Sequence, residues 1–172
     1  MPEFAVANLV AVFMDTNVLG MLTQKPGVRA DSDACQAWGA AVNAQGVYVF
    51  VPEVADYELR REFLLTGNAD AVTRLDAYTQ REPNRYLPIT TSAMREAARL
   101  RADLRKRGIP TAAKEALDGD ALIAAQVFRW CEREQIPASF IAVATTNVSD
   151  LSRFTGKSGV ALQAATWQNI VP

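Results

Sequence analysis

Apolar residues in this chain form short continuous runs, separated by longer stretches in which they recur with helical spacing. The runs that predict buried strands are Leu9 to Met14, Val47 to Val51, a short one around Leu87 to Ile89, and Phe140 to Ala144. Because each run is continuous rather than alternating, both faces of every strand are expected to be covered.

Helices are predicted between these runs. They extend from Asp31 or Ser32 to about Gln45, from Pro52 to about Leu65, from Asn68 to about Arg81, from about Thr91 to Gly108, and from about Gly119 to Glu134. The fourth helix is expected to bury Met94, Ala97, Leu100 and Leu104 and to stop before Pro110. Strands that alternate with helices indicate an α/β fold with a mostly parallel sheet.

Length and composition fit one globular domain across residues 1–172. The chain is 49% hydrophobic and 22% charged, which is the balance of an ordinary folded domain. No cationic region precedes the first apolar run, and that run is far too short to cross a bilayer. We therefore expect a cytoplasmic protein without a membrane segment.

Histidine is absent from the sequence. Its absence excludes Ser-His-Asp and Cys-His catalysis and histidine zinc sites, and it leaves carboxylates as the natural polar catalysts. The two cysteines, Cys35 and Cys131, give no disulfide framework, and Cys131 lies on an apolar helical stripe. We interpret both as buried, inert thiols.

Four acidic residues, Asp15, Glu58, Asp120 and Asp150, lie at or just beyond the end of a predicted strand or near the start of a helix. A parallel α/β sheet gathers such positions along one edge, where folds of this class bind their ligands. Carboxylate oxygens suit the hard cations Mg²⁺ and Mn²⁺, and acidic metal clusters commonly handle phosphate chemistry. The sequence therefore predicts a divalent-cation site at this edge.

Each acid also has a structural interpretation. Aspartate favours helix N-termini, so the alternative role is that of a cap for Asp15, Thr16 or Asn17, for Asp120, and for Ser149 or Asp150. Glu58 shares its helix with further acids that can pair with nearby arginines, namely Glu53, Asp56 and Glu62.

Taken together, the four acidic segments resemble the PIN-domain ribonucleases, particularly the VapC-like toxins of bacterial toxin-antitoxin pairs. The resemblance extends from about residue 10 to residue 170. The family's successive acids match Asp15 in Met14-Asp15-Thr16-Asn17, Glu58 in Tyr57-Glu58-Leu59-Arg60, and Asp120 in Asp120-Ala121-Leu122-Ile123-Ala124-Ala125. Thr16 matches the usual polar neighbour of the first aspartate, and Asp118 is a candidate accessory acid.

The match loosens at the fourth acid. Many members of the family carry an acid where this chain has Asn147, or a few residues further on, where it has Asp150. Either residue can take part by direct coordination or through water. A neutral Asn147 would weaken a second metal position, so that a single bound ion is one of the expected states.

The resemblance implies a three-layer α/β/α sandwich, a homodimer and a cognate antitoxin. It also implies that Asp15, Glu58 and Asp120 hold Mg²⁺ or Mn²⁺, with Asp150 completing the catalytic set. The implied reaction is hydrolysis of RNA phosphodiester bonds. Candidate phosphate contacts are Arg60 and Arg61 beside Glu58, and Arg99 and Arg105 on the helix predicted from Thr91, which carries six cations and two acids between residues 95 and 107. The alternative interpretation of that helix is an ordinary solvated face.

Two other functions remain open from the sequence. One is a PIN-like module that binds RNA or protein but cleaves poorly because Asn147 leaves the site incomplete. The other is a metal-dependent phosphatase on small substrates. A haloacid-dehalogenase-type phosphatase also begins with an aspartate after its first strand, but it needs a second aspartate where this chain has Asn17.

Overall fold

The computed structural model of the chain describes residues 4–109 and 118–172. The strands are β1 (Phe4–Ala5), β2 (Ala11–Met14), β3 (Tyr48–Pro52), β4 (Tyr86–Leu87), β5 (Ile141–Ala144), β6 (Ala164–Ala165) and β7 (Ile170–Val171). The central sheet has the order β4-β3-β2-β5-β6, and all its neighbouring strands are parallel. β1 and β7 form a separate parallel pair.

Helices connect the strands and cover both faces of the sheet. They are α1 (Thr16–Leu22), α2 (Ala30–Ala44), α3 (Glu53–Leu65), α4 (Ala69–Gln80), α5 (Thr91–Lys106), α6 (Gly119–Glu134) and the short α7 (Val148–Leu151). Every predicted strand and helix is present, with small shifts at some ends. Pro110, expected after α5, lies outside the described residues.

Alternate residues of β2 point into two different cores, which explains why its apolar run is continuous. Ala11 and Phe13 pack with α5 and α6, whereas Val12 and Met14 pack with α1 and α2 on the opposite face. The result is a three-layer α/β/α sandwich with a parallel central sheet, so the predicted fold class is confirmed. In a parallel sheet the carboxyl ends of the strands share one edge, and the segment after β2 therefore lies beside the segment after β5.

One predicted core position is wrong. Met94 is 43% exposed, whereas Ala93 at the neighbouring position is buried. Glu96 is also buried on this face, where Arg99 lies 2.6 Å and Lys157 3.6 Å from its carboxylate. These two cations compensate the buried charge of Glu96. α5 therefore buries an acid at a position that hydrophobic spacing alone does not predict to be buried.

The remaining general expectations concern the cysteines and membrane segments. Cys35 and Cys131 are free and buried, and burial raises the pKa of their thiols to about 12 and about 11. The interpretation of buried thiols is confirmed. Within residues 4–109 and 118–172, no helix combines the length and the hydropathy needed to cross a bilayer.

Candidate active site

Asp15 lies directly after β2 and is 5% exposed. Its backbone N–H donates to the Ala144 carbonyl at 3.0 Å, which ties the residue to the end of β5. One carboxylate oxygen accepts from the Thr16 N–H and the other from the Thr145 hydroxyl, both at 2.6 Å. Burial raises the pKa of Asp15, and these two hydrogen bonds partly offset the rise. Asp15 is therefore both the cap of α1 and a fixed carboxylate at the sheet edge.

Glu58 is the acid of α3 that reaches this edge. The Thr16 hydroxyl donates to its Oε2 at 2.6 Å. The other acids of α3 are engaged elsewhere, since Glu53 accepts from the Ile89 N–H, Asp56 is bonded to Arg60 and Glu62 to Arg61. The structure thus distinguishes Glu58 from the other acids of α3, which the sequence alone does not.

Gly119, the first residue of α6, leaves the space that the Glu58 carboxylate occupies. A Cβ atom at position 119 would lie 2.2 Å from Oε1 of Glu58, and separations below 3.0 Å are essentially never found for real Cβ atoms. Because the acid packs against a bare Cα, it comes within reach of the N-terminus of α6. Any larger residue at this position would displace the carboxylate.

Asp120 lies in the first turn of α6 and is half-buried. Burial and the negative charges of its neighbours raise the pKa of its carboxyl to about 6, and those neighbours are Asp15, Asp118, Asp150 and Glu58. Asp118 itself caps α6, accepting from the Ala121 N–H at 3.0 Å. The structure therefore brings the predicted acids into one electrostatic environment, and we call these five residues the acid cluster.

The raised pKa of Asp120 predicts that the stability of the cation-free chain, measured in EDTA, depends on pH. The folded chain holds this proton up to a pH of about 6, whereas the carboxyl has an ordinary value of 3.8. The stability that protonated Asp120 contributes is therefore fully present below pH 3.8 and is lost as the pH rises through about 6. We expect Asp120→Asn to raise the free energy of unfolding at neutral pH by about 1 kcal/mol, after allowance for solvent screening.

The measurement for Asp120→Asn is thermal unfolding at several pH values with a chelator present, because a bound cation would lower this pKa. The gain over the parent chain should shrink as the solution becomes acidic. Asp70→Asn, at an exposed position in the first turn of α4, is the matched control. If the stability gained by Asp120→Asn did not vary with pH, the negative charge of Asp120 would not be what destabilises the parent chain.

The fourth acidic segment, which contains Asn147 and Asp150, differs from what the sequence predicted for its helix cap. Asn147 is the N-cap residue of α7, so the alternative that Ser149 or Asp150 caps this helix is wrong. The Asn147 side-chain amide donates to Oδ2 of Asp150 at 2.6 Å, and Arg153 forms an ion pair with the other oxygen of Asp150. Asp150 therefore has a cationic partner three residues further along the chain.

Thr145 is a residue whose role the sequence did not reveal. It is fully buried, its hydroxyl donates to Asp15, and the same oxygen accepts from the Asn147 N–H at 2.8 Å. It thereby joins the first and fourth acidic segments. Its position directly after β5, level with Asp15 after β2, is the sequence signal that could have indicated it.

The predicted RNA-contacting arginines fall into two groups. Arg60 is held by Asp56 and Asp76 at 2.8 and 2.7 Å, and Arg99 is held by the buried Glu96 and by Asp103. Arg61 and Arg105 are exposed, and Arg61 pairs with its neighbour Glu62. Arg60 and Arg99 therefore have structural roles in addition to any contact with a ligand.

The acid cluster fits a hard cation in its chemistry, because it offers carboxylate oxygens whose negative charge is poorly compensated. Asp15 and Asp120 both have raised pKa values. As the side chains stand, no three His, Cys, Asp or Glu residues of the described ranges are grouped to hold a metal ion. Both oxygens of Asp15 and one of Glu58 accept a hydrogen bond each, and a carboxylate oxygen that accepts one hydrogen bond keeps a further lone pair for a cation.

Solved structures share this three-layer α/β/α fold. A chain of the VapBC2 complex from Rickettsia felis, bound to a DNA fragment from its promoter, matches with a TM-score of 0.61 and 13% identity. The match covers 90% of this chain and 98% of that one. FitAcB from Neisseria gonorrhoeae matches with a TM-score of 0.55 and 20% identity, over 88% of this chain and 96% of that one.

A third structure, VapBC-1 from nontypeable Haemophilus influenzae, has a TM-score of 0.57 and 15% identity, over 92% of this chain and 98% of that one. No protein-family model matches the sequence. No curated protein matches it at a significant level either. At these identities the structures show a common fold, and the predicted resemblance to VapC-like PIN domains is confirmed at that level.

Proposed function

We propose that this chain is a metal-dependent endoribonuclease that acts as a VapC-like toxin. The observation that carries the proposal is the acid cluster itself. Burial, together with the negative charges of carboxylates from four separate segments, raises the pKa of Asp120, at the carboxyl edge of a parallel sheet. Gathering like charges in a half-buried site is unfavourable unless a cation or a proton compensates them, and such an arrangement is a feature of functional sites.

Asp15, Glu58 and Asp120 would hold Mg²⁺ or Mn²⁺. Such an ion, when bound, acidifies a coordinated water and stabilises negative charge on a phosphate. Thr145 and Thr16 orient the carboxylates through their hydroxyls, in the manner of the outer hydrogen bonds that position metal ligands. These two threonines therefore belong to the proposed site even though neither contributes a charge.

The proton of the attacking water also needs an acceptor. Histidine is absent, and a carboxylate is a natural acceptor among the residues of the site. Asp150 lies outside the proposed cation set, and Asn147 and Arg153 fix its orientation. We assign the acceptor role to a carboxylate oxygen of Asp150.

RNA and an antitoxin are the proposed partners. Arg61 and Arg105 are exposed and suited to phosphate contacts. An antitoxin is proposed because the matching chains come from toxin-antitoxin complexes. The outer face of α3 carries Tyr57, Leu64 and Leu65, which are 54%, 66% and 79% exposed, and exposed apolar groups of this kind favour a protein contact, including that of a homodimer.

A second candidate function is a binding module with weak or no cleavage. It is favoured by the fourth position, where Asn147 is neutral and Arg153 compensates Asp150. It is also favoured by the arrangement of the described acids, no three of which are grouped to hold a metal ion. Such a module would use the same fold and the same exposed cations to bind RNA.

The experiment that tests the proposal is cleavage of end-labelled single-stranded RNA by the purified chain with Mn²⁺, with Mg²⁺ and with EDTA. We expect cleavage with either cation and none with the chelator. RNA that binds to the protein but stays intact in all three conditions would show that the chain is a binding module. A phosphomonoester assay under the same conditions addresses hydrolysis of small substrates, for which we expect no activity.

A further inference from the structure

A cavity of about 440 Å³ lies among α1, α2 and α4, and no member of the acid cluster lines it. Three arginines contribute to its wall, Arg74, Arg81 and Arg85, whereas Glu82 is the single acid among the described residues that line it. The other polar side chains of the wall are neutral amides and the hydroxyl residues Thr23 and Tyr78. The cavity is therefore strongly cationic, in contrast to the edge where the acids gather.

Arg85 is the most unusual of these residues, because it is only 6% exposed. Its guanidinium lies 4.5 Å from the centre of the Tyr78 ring. The ion pair that the described residues give it is a long one, at 4.0 Å from Glu82, and its Nε is buried without a hydrogen-bond partner. A buried guanidinium that lacks a close carboxylate is unfavourable, so this position is poorly explained by fold stability alone.

The other two arginines add to the same positive field. Arg74 is held in the wall by a hydrogen bond from its Nε to the Thr23 carbonyl at 3.0 Å, which leaves its charge uncompensated by this contact. Arg81 lies at the exposed rim, and within the part of the chain that the structure describes it has no ion pair. Arg60, by contrast, is bound by two carboxylates.

We propose that this cavity binds a small molecule that carries a phosphate or carboxylate group. Its volume lies within the range of small-molecule sites, which typically combine apolar walls with a few fixed polar groups. Leu22, Ala40 and Ala77 supply the apolar wall. The planar guanidinium groups match the geometry of phosphate and carboxylate oxygens. This proposal is independent of the nuclease proposal, because the two sites share no lining residue.

The test is thermal unfolding in EDTA with four probes: inorganic phosphate, AMP, citrate and uncharged adenosine. A probe at about ten times its dissociation constant should raise the melting temperature by about 3–6 °C for a chain of this length. Phosphate and AMP report a phosphate site, citrate reports a carboxylate site, and adenosine should have no effect.

Arg81→Gln and Arg85→Gln should each weaken binding of the active probe by about 10-fold or more, since each removes charge-assisted hydrogen bonds. Arg81 is exposed, so its variant keeps the test decisive even if Arg85→Gln fails to fold. Arg95→Gln, at an exposed position on α5, is the matched control and should respond like the parent chain.

Two results would overturn the inference. One is the absence of a thermal shift with every anionic probe. The other is an equal shift in the parent chain and in Arg81→Gln, which would indicate a general salt effect. Asp15→Asn separates the two proposed sites, because removing a negative charge strengthens anion binding at the acid cluster in EDTA. A larger shift in that variant than in the parent chain would place the anion there and would also overturn the assignment to this cavity.

Discussion

Asp15→Asn is expected to lower RNA cleavage by at least about 100-fold, because changes to groups that merely orient metal ligands already cost 10–100-fold. The fold should persist. An asparagine has the same shape, its oxygen can still accept from the Thr16 N–H, and the Thr145 hydroxyl can rotate to accept from the new amide. Removing one charge from the acid cluster also relieves repulsion with Asp120.

Cleavage of labelled RNA and calorimetric titration with Mn²⁺ measure the effect of Asp15→Asn. Both activity and cation affinity should fall together, while the melting temperature in EDTA is unchanged or higher. Asp70→Asn serves as the control for the same chemical change at an exposed position. Full activity with undiminished Mn²⁺ affinity in Asp15→Asn would show that the proposed metal site is wrong.

Gly119→Ala is expected to lower RNA cleavage by about 10–100-fold, the loss that is typical when the groups orienting a metal ligand are changed. The added methyl group would lie 2.2 Å from Oε1 of Glu58, so the carboxylate must leave its position and its hydrogen bond with Thr16. The helix itself should gain, because alanine in a helix is more stable than glycine by roughly 0.5–1 kcal/mol. The variant should therefore be stable and poorly active.

A double-mutant cycle locates the effect of Gly119→Ala. If the methyl group acts by displacing Glu58, the substitution should cost little activity when Glu58→Ala is already present. Gly20→Ala is the matched control, since a Cβ there meets Leu59 at an ordinary 3.5 Å. Wild-type cleavage by Gly119→Ala would mean that the Glu58 carboxylate does not act from the place it occupies in the structure.

The sequence predicts most of the fold because its strongest patterns coincide with buried faces. α6 has the predicted ends, Gly119 and Glu134, since its apolar stripe is long and an aspartate precedes it as a cap. β6 and β7 were not predicted, and each has two residues, too few to show any periodicity. Their pairing depends on neighbouring strands rather than on local sequence.

The acid cluster was predictable in outline and not in its contacts. Asp15 and Asp120 follow from their places at a strand end and a helix start. Choosing Glu58 over the other acids of α3 required the resemblance to a family, because side chains on one helix differ only in direction. The pairing of Arg153 with Asp150 has the ordinary helical spacing of three residues, but that spacing alone does not reveal that the acid belongs to a site.

The hydrogen bond between Thr145 and Asp15 joins residues 130 positions apart, and β2 lies in the sheet between β3 and β5. A chain still being synthesised can pair β2 with β3 early, but β5 reaches its place beside β2 only after Ile141–Ala144 has been made. Long-range parallel pairing of this kind forms late. Asp15 therefore acquires its partner Thr145 only after β5 has been made, and a nascent chain that ends before β5 lacks an assembled site. We therefore expect nascent chains that lack β5 to show none of the proposed nuclease activity.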